Sequence, residues 1–159
     1  MQVTVIAVGK VKEKFLQDGI LEYSKRLRSY LNLDIIEIPE EKRPVTASPA
    51  VETAAVEKEG ERILSAIPSG ALTIALEIQG KRVSSEGFAE MFREWELSGK
   101  SRIAFIIGGD LGLSKKVLSQ SDLTISLSSM TFTHQMARLF LIEQIYRSLK
   151  IVKGEPYHK

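Results

Sequence analysis

Apolar positions along this chain switch repeatedly between two rhythms, and the switching predicts strand and helix in turn. Val3-Thr4-Val5-Ile6-Ala7-Val8 is a short β-rich apolar run; residues 13–30 then carry Leu16, Ile20, Tyr23 and Leu27 at helical spacing. Leu31 to Ile38 reads as a second strand, closed by Pro39. Ser48-Pro49 has the form of an N-cap followed by proline at the first helical position, opening a helix to about Ile67. Pro68-Ser69-Gly70 is a turn, and Ala71 to Leu76 a third strand. Ser84 opens a helix carrying Phe88, Met91, Phe92 and Trp95, which Gly99 stops. Arg102 to Ile107 is a fourth strand, followed by a glycine loop over 108–113 and a short helix from Ser114 to about Ser119. Asp122 to Leu127 is a fifth strand, Ser128 to Phe132 a loop, and Thr133 to Val152 a long helix, with Gly154 and Pro156 breaking the last segment.

Strands alternating with helices predict an α/β fold, a mostly parallel sheet with helices on both faces. The uninterrupted Ile103-Ala104-Phe105-Ile106-Ile107 agrees, because a parallel strand is buried on both sides. No repeat or long linker divides the chain, so 1–159 reads as one domain. The long helix departs from the one-sided pattern of a surface helix. Leu139-Phe140-Leu141-Ile142 advance about 100° each and cover most of its circumference. Its own sheet covers one side, and a second subunit is the simplest cover for the other; burial of the short run entirely within one domain is the alternative.

Composition narrows the chemistry. At 159 residues the chain can bury roughly 70% of its unfolded surface, enough for a real core. With no Cys and two His, a disulfide scaffold, a thiolate zinc site, a cysteine nucleophile and a histidine-rich metal site all drop out, and no metal is expected. No run approaches the roughly 20 apolar residues of a membrane span. The start reads as a strand rather than a signal peptide, so a cytoplasmic location is expected.

Ligands of open parallel sheets bind beyond the carboxyl ends of the strands. Three segments fall there: Glu77-Ile78-Gln79-Gly80, Gly108-Gly109-Asp110-Leu111-Gly112, and Leu127 to Phe132. Neither a Gly-x-Gly-x-x-Gly fingerprint, a Walker A loop nor a Gly-x-Ser-x-Gly elbow is present. The last segment, rich in main-chain donors and hydroxyls, suits an adenosine and a carboxylate; simple helix capping by Thr131 or Thr133 is the other reading. His134 lies in the first turn of the long helix, where histidines are more often structural or solvated than catalytic. His158 lies in the terminal Tyr157-His158-Lys159, which is either a free end or folded back over a site.

Four blocks together resemble one family. Phe105-Ile106-Ile107-Gly108-Gly109-x-x-Gly112-Leu113-Ser114, Leu127-Ser128-x-Met130-Thr131-x-x-His134-Gln135-x-Ala137-Arg138, Glu143-Gln144-x-Tyr146-Arg147 and Gly154-x-Pro156-Tyr157-His158 are similar, in order and spacing, to the SPOUT methyltransferases of the RlmH type. The resemblance runs from end to end of the chain, and Asp110-Leu111 and Lys159 depart from its usual residues. It implies an α/β knot, in which the C-terminal part threads a loop to make a trefoil, and a homodimer. It implies methyl transfer from S-adenosylmethionine to N3 of a pseudouridine in 23S rRNA, on assembled 70S ribosomes, with no role for membrane or DNA. By position it places Leu76, Gly108, Gly109, Leu127, Ser128, Ser129, Met130, Thr131 and Phe132 around the cofactor. Leu76 would lie on the adenine, main-chain groups of Leu127 and Phe132 would read its edges, and Gly108 would admit the cofactor to the backbone. His158, Tyr157 and Arg138 would lie near the target nucleotide, across the dimer interface. His158 is the base candidate by residue type, since imidazole titrates near pH ~6.5; ordering the tail or touching RNA is its alternative role. The competing functions are a non-catalytic ribosome-binding protein on the same fold, a small enzyme using another nucleotide, and a relative modifying another base.

Charge adds a surface. Residues 10–30 carry six bases against three acids, and the segment 147–159 carries Arg147, Lys150, Lys153 and Lys159 against Glu155. The net charge is only +2, yet these two clusters suit phosphate contacts with RNA.

Overall fold

The computed structural model describes residues 1–159. Five strands and five helices alternate: β1 (Gln2–Val8), α1 (Lys14–Leu27), β2 (Asn32–Ile38), α2 (Pro49–Ala66), β3 (Leu72–Arg82), α3 (Ser85–Leu97), β4 (Arg102–Ile107), α4 (Lys115–Gln120), β5 (Leu123–Ser126) and α5 (His134–Val152). The strands form one sheet in the order β2-β1-β4-β3-β5, every neighbouring pair parallel. The expected α/β architecture is therefore present, and no helix is long and apolar enough to cross a membrane.

The pleat sorts side chains to the two faces. Val3, Val5 and Ala7 of β1 and Ile103, Phe105 and Ile107 of β4 join the larger core, with Ile20 and Leu27 of α1, Phe88, Phe92 and Trp95 of α3, and Leu141, Ile142 and Ile145 of α5. Ile6, Val8, Ala104 and Ile106 point the other way, to Ile63 of α2 and Val117 of α4. Helices thus cover both faces, as a sheet of continuous apolar strands requires. Each of the four serine or threonine caps on α2, α3, α4 and α5 accepts a backbone N–H three residues on.

Two boundaries differ from the sequence reading in an instructive way. β3 was expected to stop at Leu76; instead it continues to Arg82 after a break in register, and Ile125 of β5 pairs with both Leu76 and Lys81. The residues between, Glu77 to Gly80, leave the ladder and return against β5. Gly80 is required there: a Cβ on it would stand 2.7 Å from the carbonyl carbon of Ile125 and 2.8 Å from its nitrogen. β5 is shorter than expected because Asp122 spends its side chain on β3, accepting from the Thr73 N–H and hydroxyl at 2.7 Å each.

α5 packs between α1 and α3. No residue from His134 to Val152 is fully exposed. The chain itself covers all four members of the apolar run. Leu141 and Ile142 are wholly buried, Leu139 reaches α1 at Gly19, and Phe140 packs edge-on to Phe132 with ring centroids 4.9 Å apart.

Candidate active site

The sheet's carboxyl edge carries a cavity of about 750 Å³, within the size range of small-molecule sites. Its walls come from the register break within β3 and the loops after β4 and β5, closed by the first turn of α5. Leu76, Gly108, Gly109, Leu127, Ser128, Met130, Thr131 and Phe132 all line it; of the residues expected there only Ser129 does not. Glu77, Ile78, Asp110, Thr133, His134, Gln135 and Ala137 line it as well. The family pattern had assigned these no role. Their signal in the sequence was position, at strand ends and at a helix start, and for His134, Gln135 and Ala137 also membership of a family block.

The glycine loop is built by its own close packing. Gly112, at φ +78°, turns the chain back, and its N–H bonds the Gly109 carbonyl at 3.1 Å. A Cβ on Gly108 would then lie 2.6 Å from the carbonyl carbon and oxygen of Gly112. The family resemblance has Gly108 bare so that a cofactor can approach, while a glycine-rich loop by itself equally suggests tight turns. The structure gives a prior reason, the return of the loop itself.

The loop after β5 holds itself with few bonds. Ser126 Oγ donates to the Ser128 carbonyl at 2.8 Å, and Ser128 Oγ accepts from the Met130 N–H at 3.0 Å. Otherwise the main chain from Leu127 to Phe132 makes no backbone–backbone hydrogen bond. Its donors and acceptors are free to face a ligand beside the apolar Leu76, Leu127 and Phe132. Thr133, not Thr131, caps α5, accepting from the Met136 N–H at 3.2 Å.

Charge is arranged asymmetrically. Arg43, from the loop after β2, pairs with Asp110 and is the main cause holding that carboxyl below its ordinary range. Beneath the loop, Glu59 of α2 is 4% exposed and accepts from the Glu41 N–H at 3.0 Å; burial pushes its carboxyl up. His134 is half-buried against Gly9 and makes no hydrogen bond within the chain.

None of the three residues expected near the target nucleotide lines this cavity. Arg138 is 2% exposed, donating to Glu37 at 2.7 Å and to the Gly9 carbonyl at 2.9 Å, which ties α5 to the ends of β1 and β2. Tyr157 and His158 fold back on the far half of α5. The Tyr157 hydroxyl donates to Glu143 at 2.9 Å and accepts from Tyr23 at 2.9 Å, and its ring lies on Tyr146 and under the Arg147 guanidinium. Burial, first of all, pushes that phenol up. His158 lies between Arg147, 3.2 Å from Nδ1, and Glu86, 2.8 Å from Nε2. A second cavity of about 260 Å³ separates the two groups, sharing Leu127, Ser128 and Phe132 with the first and ending at Glu143 and Gln144.

Comparison with known proteins agrees with these motifs. The family model described as "Predicted SPOUT methyltransferase" matches residues 1–158. The chain is 54% identical to "Ribosomal RNA large subunit methyltransferase H" of Alkaliphilus oremlandii and 51% identical to the protein of the same name from Carboxydothermus hydrogenoformans. Each match spans 159 residues and 100% of both chains. Among solved structures, a probable methylase family protein from Haemophilus influenzae Rd KW20 is similar in fold, with a TM-score of 0.51 at 12% identity, over 99% of this chain and 70% of that one.

Proposed function

This chain belongs to the SPOUT methyltransferase family, and from that premise we propose that it methylates N3 of a pseudouridine in large-subunit ribosomal RNA, using S-adenosylmethionine. It works as a homodimer of single-domain chains on assembled 70S ribosomes in the cytoplasm. One observation carries the reading: a cavity gathers the break within β3 and the loops after β4 and β5 around main-chain donors and acceptors that make no backbone–backbone hydrogen bond. The relatives' names, which specify large-subunit ribosomal RNA, support the substrate class. Membership of the family supports the trefoil knot and the homodimer.

The donor set fits the cofactor. Leu76, Leu127 and Phe132 offer an apolar slot for adenine, main-chain groups of 127–132 its edge contacts, and Glu77 and Asp110 acceptors for hydroxyl and ammonium groups. Bound there, S-adenosylmethionine supplies a methyl group already activated as a sulfonium. What remains for the chain is to bring N3 into line with that carbon and to take its proton. Alignment is worth up to ~7–11 kcal/mol in intramolecular reactions, and a positioned base a further ~10²–10⁴-fold. The glycine loop, held from outside by the Arg43–Asp110 pair, keeps the cavity floor fixed while this happens. Lys10, Lys12 and the basic end of the chain supply phosphate contacts.

The test is transfer of radiolabel from S-adenosylmethionine to unmodified 70S ribosomes, with separated subunits and free RNA in parallel. Label in large-subunit RNA of intact ribosomes is the expected result. Cofactor binding with no label on any RNA would overturn the substrate, and no cofactor binding would overturn the activity.

A further inference from the structure

The chain has two histidines, and the structure distinguishes them by what their ring nitrogens already do. Arginine can only donate, so the Arg147 contact makes His158 Nδ1 an acceptor and uses its lone pair. Nε2 must then carry the proton, which it donates to Glu86. Docked this way, His158 has no lone pair left to take a proton from anything. His134 is the reverse case. It lines the cavity, neither ring nitrogen is hydrogen-bonded within the chain, and it is the first residue of α5.

The other titratable groups in the cavity wall are poorer bases. Asp110 is committed to Arg43, and Glu77 is a carboxylate, far weaker as a base toward an imide proton than imidazole. Resting on the methyltransferase reading above, we propose that His134 is a catalytic residue, the base that accepts the N3 proton of the target nucleobase. In that step the N3–carbon bond forms as the carbon–sulfur bond breaks, sulfur keeps the electron pair, and the N3 proton passes to the unprotonated ring nitrogen of His134 and then to water. On its own chain His158 anchors the tail between α3 and α5.

Charged groups surround His134 on each side that packs near it. They are Asp110 with Arg43 from the glycine loop and the loop after β2, Glu40 from that same loop beside Gly9, Glu77 across the cavity, and Arg138 with Glu37 at the next turn of α5. Lys10 and Lys12 flank Gly9 on the loop after β1, where the Lys12 N–H donates to Gln135 at 3.0 Å.

Two independent readouts test the assignment. The first is ring ¹⁵N NMR of the protein without RNA, where two histidines give a simple spectrum. S-adenosylhomocysteine is expected to shift the His134 ring and leave His158 in its Nε2–H form. No response of His134, with the nucleoside bound, overturns the proposal. The second is single-turnover methyl transfer on ribosomes. His134→Gln is expected to slow transfer about 100-fold or more, with cofactor Kd within three-fold, to lose the acid limb of the pH profile, and imidazole is expected to restore part of the rate to His134→Ala. His158→Gln keeps the acid limb. A His134→Gln rate near that of the unsubstituted chain, or a defect confined to cofactor Kd, overturns the proposal. A chain that labels no RNA at all overturns the proposed function instead, and the NMR readout still decides the place of His134.

Discussion

The two ends of α5 use the same kinds of residue for opposite purposes. At its start, Thr133, His134 and Gln135 face a cavity where the His134 ring makes no hydrogen bond and residues 127–132 make no backbone–backbone hydrogen bond, although Thr133 and Gln135 accept from the Met136 and Lys12 N–H groups. Toward its end, Glu143, Arg147 and Lys150 are all paired, with one another or with the returning tail at Glu155, Tyr157 and His158. A polar group that is already satisfied inside the chain holds structure; one left unsatisfied in a concave place is available to a ligand. By that criterion the start of α5 is open to a ligand, and within one chain the end of α5 is a clasp.

The contrast can be broken from either side. The largest effect is expected from Gly108→Ala at the cavity end. The new methyl has no room beside the Gly112 carbonyl, so the loop must move, and overpacking of this kind costs about 1–3 kcal/mol. Cofactor affinity, measured by calorimetry, is expected to fall about 100-fold while the tail stays resistant to protease. Next is Glu143→Ala at the clasp end, which strips acceptors from Arg147, Tyr157 and Gln144 together. Losing charge-assisted bonds there is expected to cost about 1–3 kcal/mol, seen as a lower Tm and a protease-sensitive tail, with cofactor affinity within three-fold. An equal loss of affinity in both variants would show that the two ends do not act separately.

Smaller effects sharpen the picture. Asp110→Asn removes the partner of Arg43 at a half-exposed pair, so stability is expected to change by less than about 1 kcal/mol. A few-fold loss of cofactor affinity would mark Asp110 as a wall of the cavity rather than a brace of the fold. The smallest effect concerns Glu59, whose carboxyl burial raises. A raised carboxyl favours the folded state fully below its unfolded pKa, about 4, and that contribution is lost as pH rises through the folded value. Glu59→Gln keeps an acceptor for the Glu41 N–H and removes the ionisation. Its Tm is therefore expected to equal or slightly exceed that of the unsubstituted chain at pH 7, with the difference vanishing near pH 4. A lower Tm at pH 7 alone would mean that the charge of Glu59 is used.

Local physics determined the elements. Alternating rhythm located every strand and helix, and Ser48, Ser84, Ser114 and Thr133 marked helix starts because a side-chain oxygen satisfies an orphan N–H wherever the chain bends into a helix. The motif blocks located the cavity walls, since residues at strand ends of a parallel sheet must converge on one edge. What the sequence could not carry were relations between distant residues. The second passage of β3 along β5 at Lys81 depends on a crossing that only Gly80 permits, and no periodicity encodes it. Arg138 was expected near the target nucleotide, and only the fold shows that Glu37 and Gly9, over a hundred residues away, take up its two terminal nitrogens. The two histidines are alike as letters, and only the tertiary structure, by setting Arg147 and Glu86 on one ring and an open cavity beside the other, decided which keeps a free lone pair. A hydrogen bond spends that lone pair, and its partner is fixed by folding rather than by neighbours in sequence.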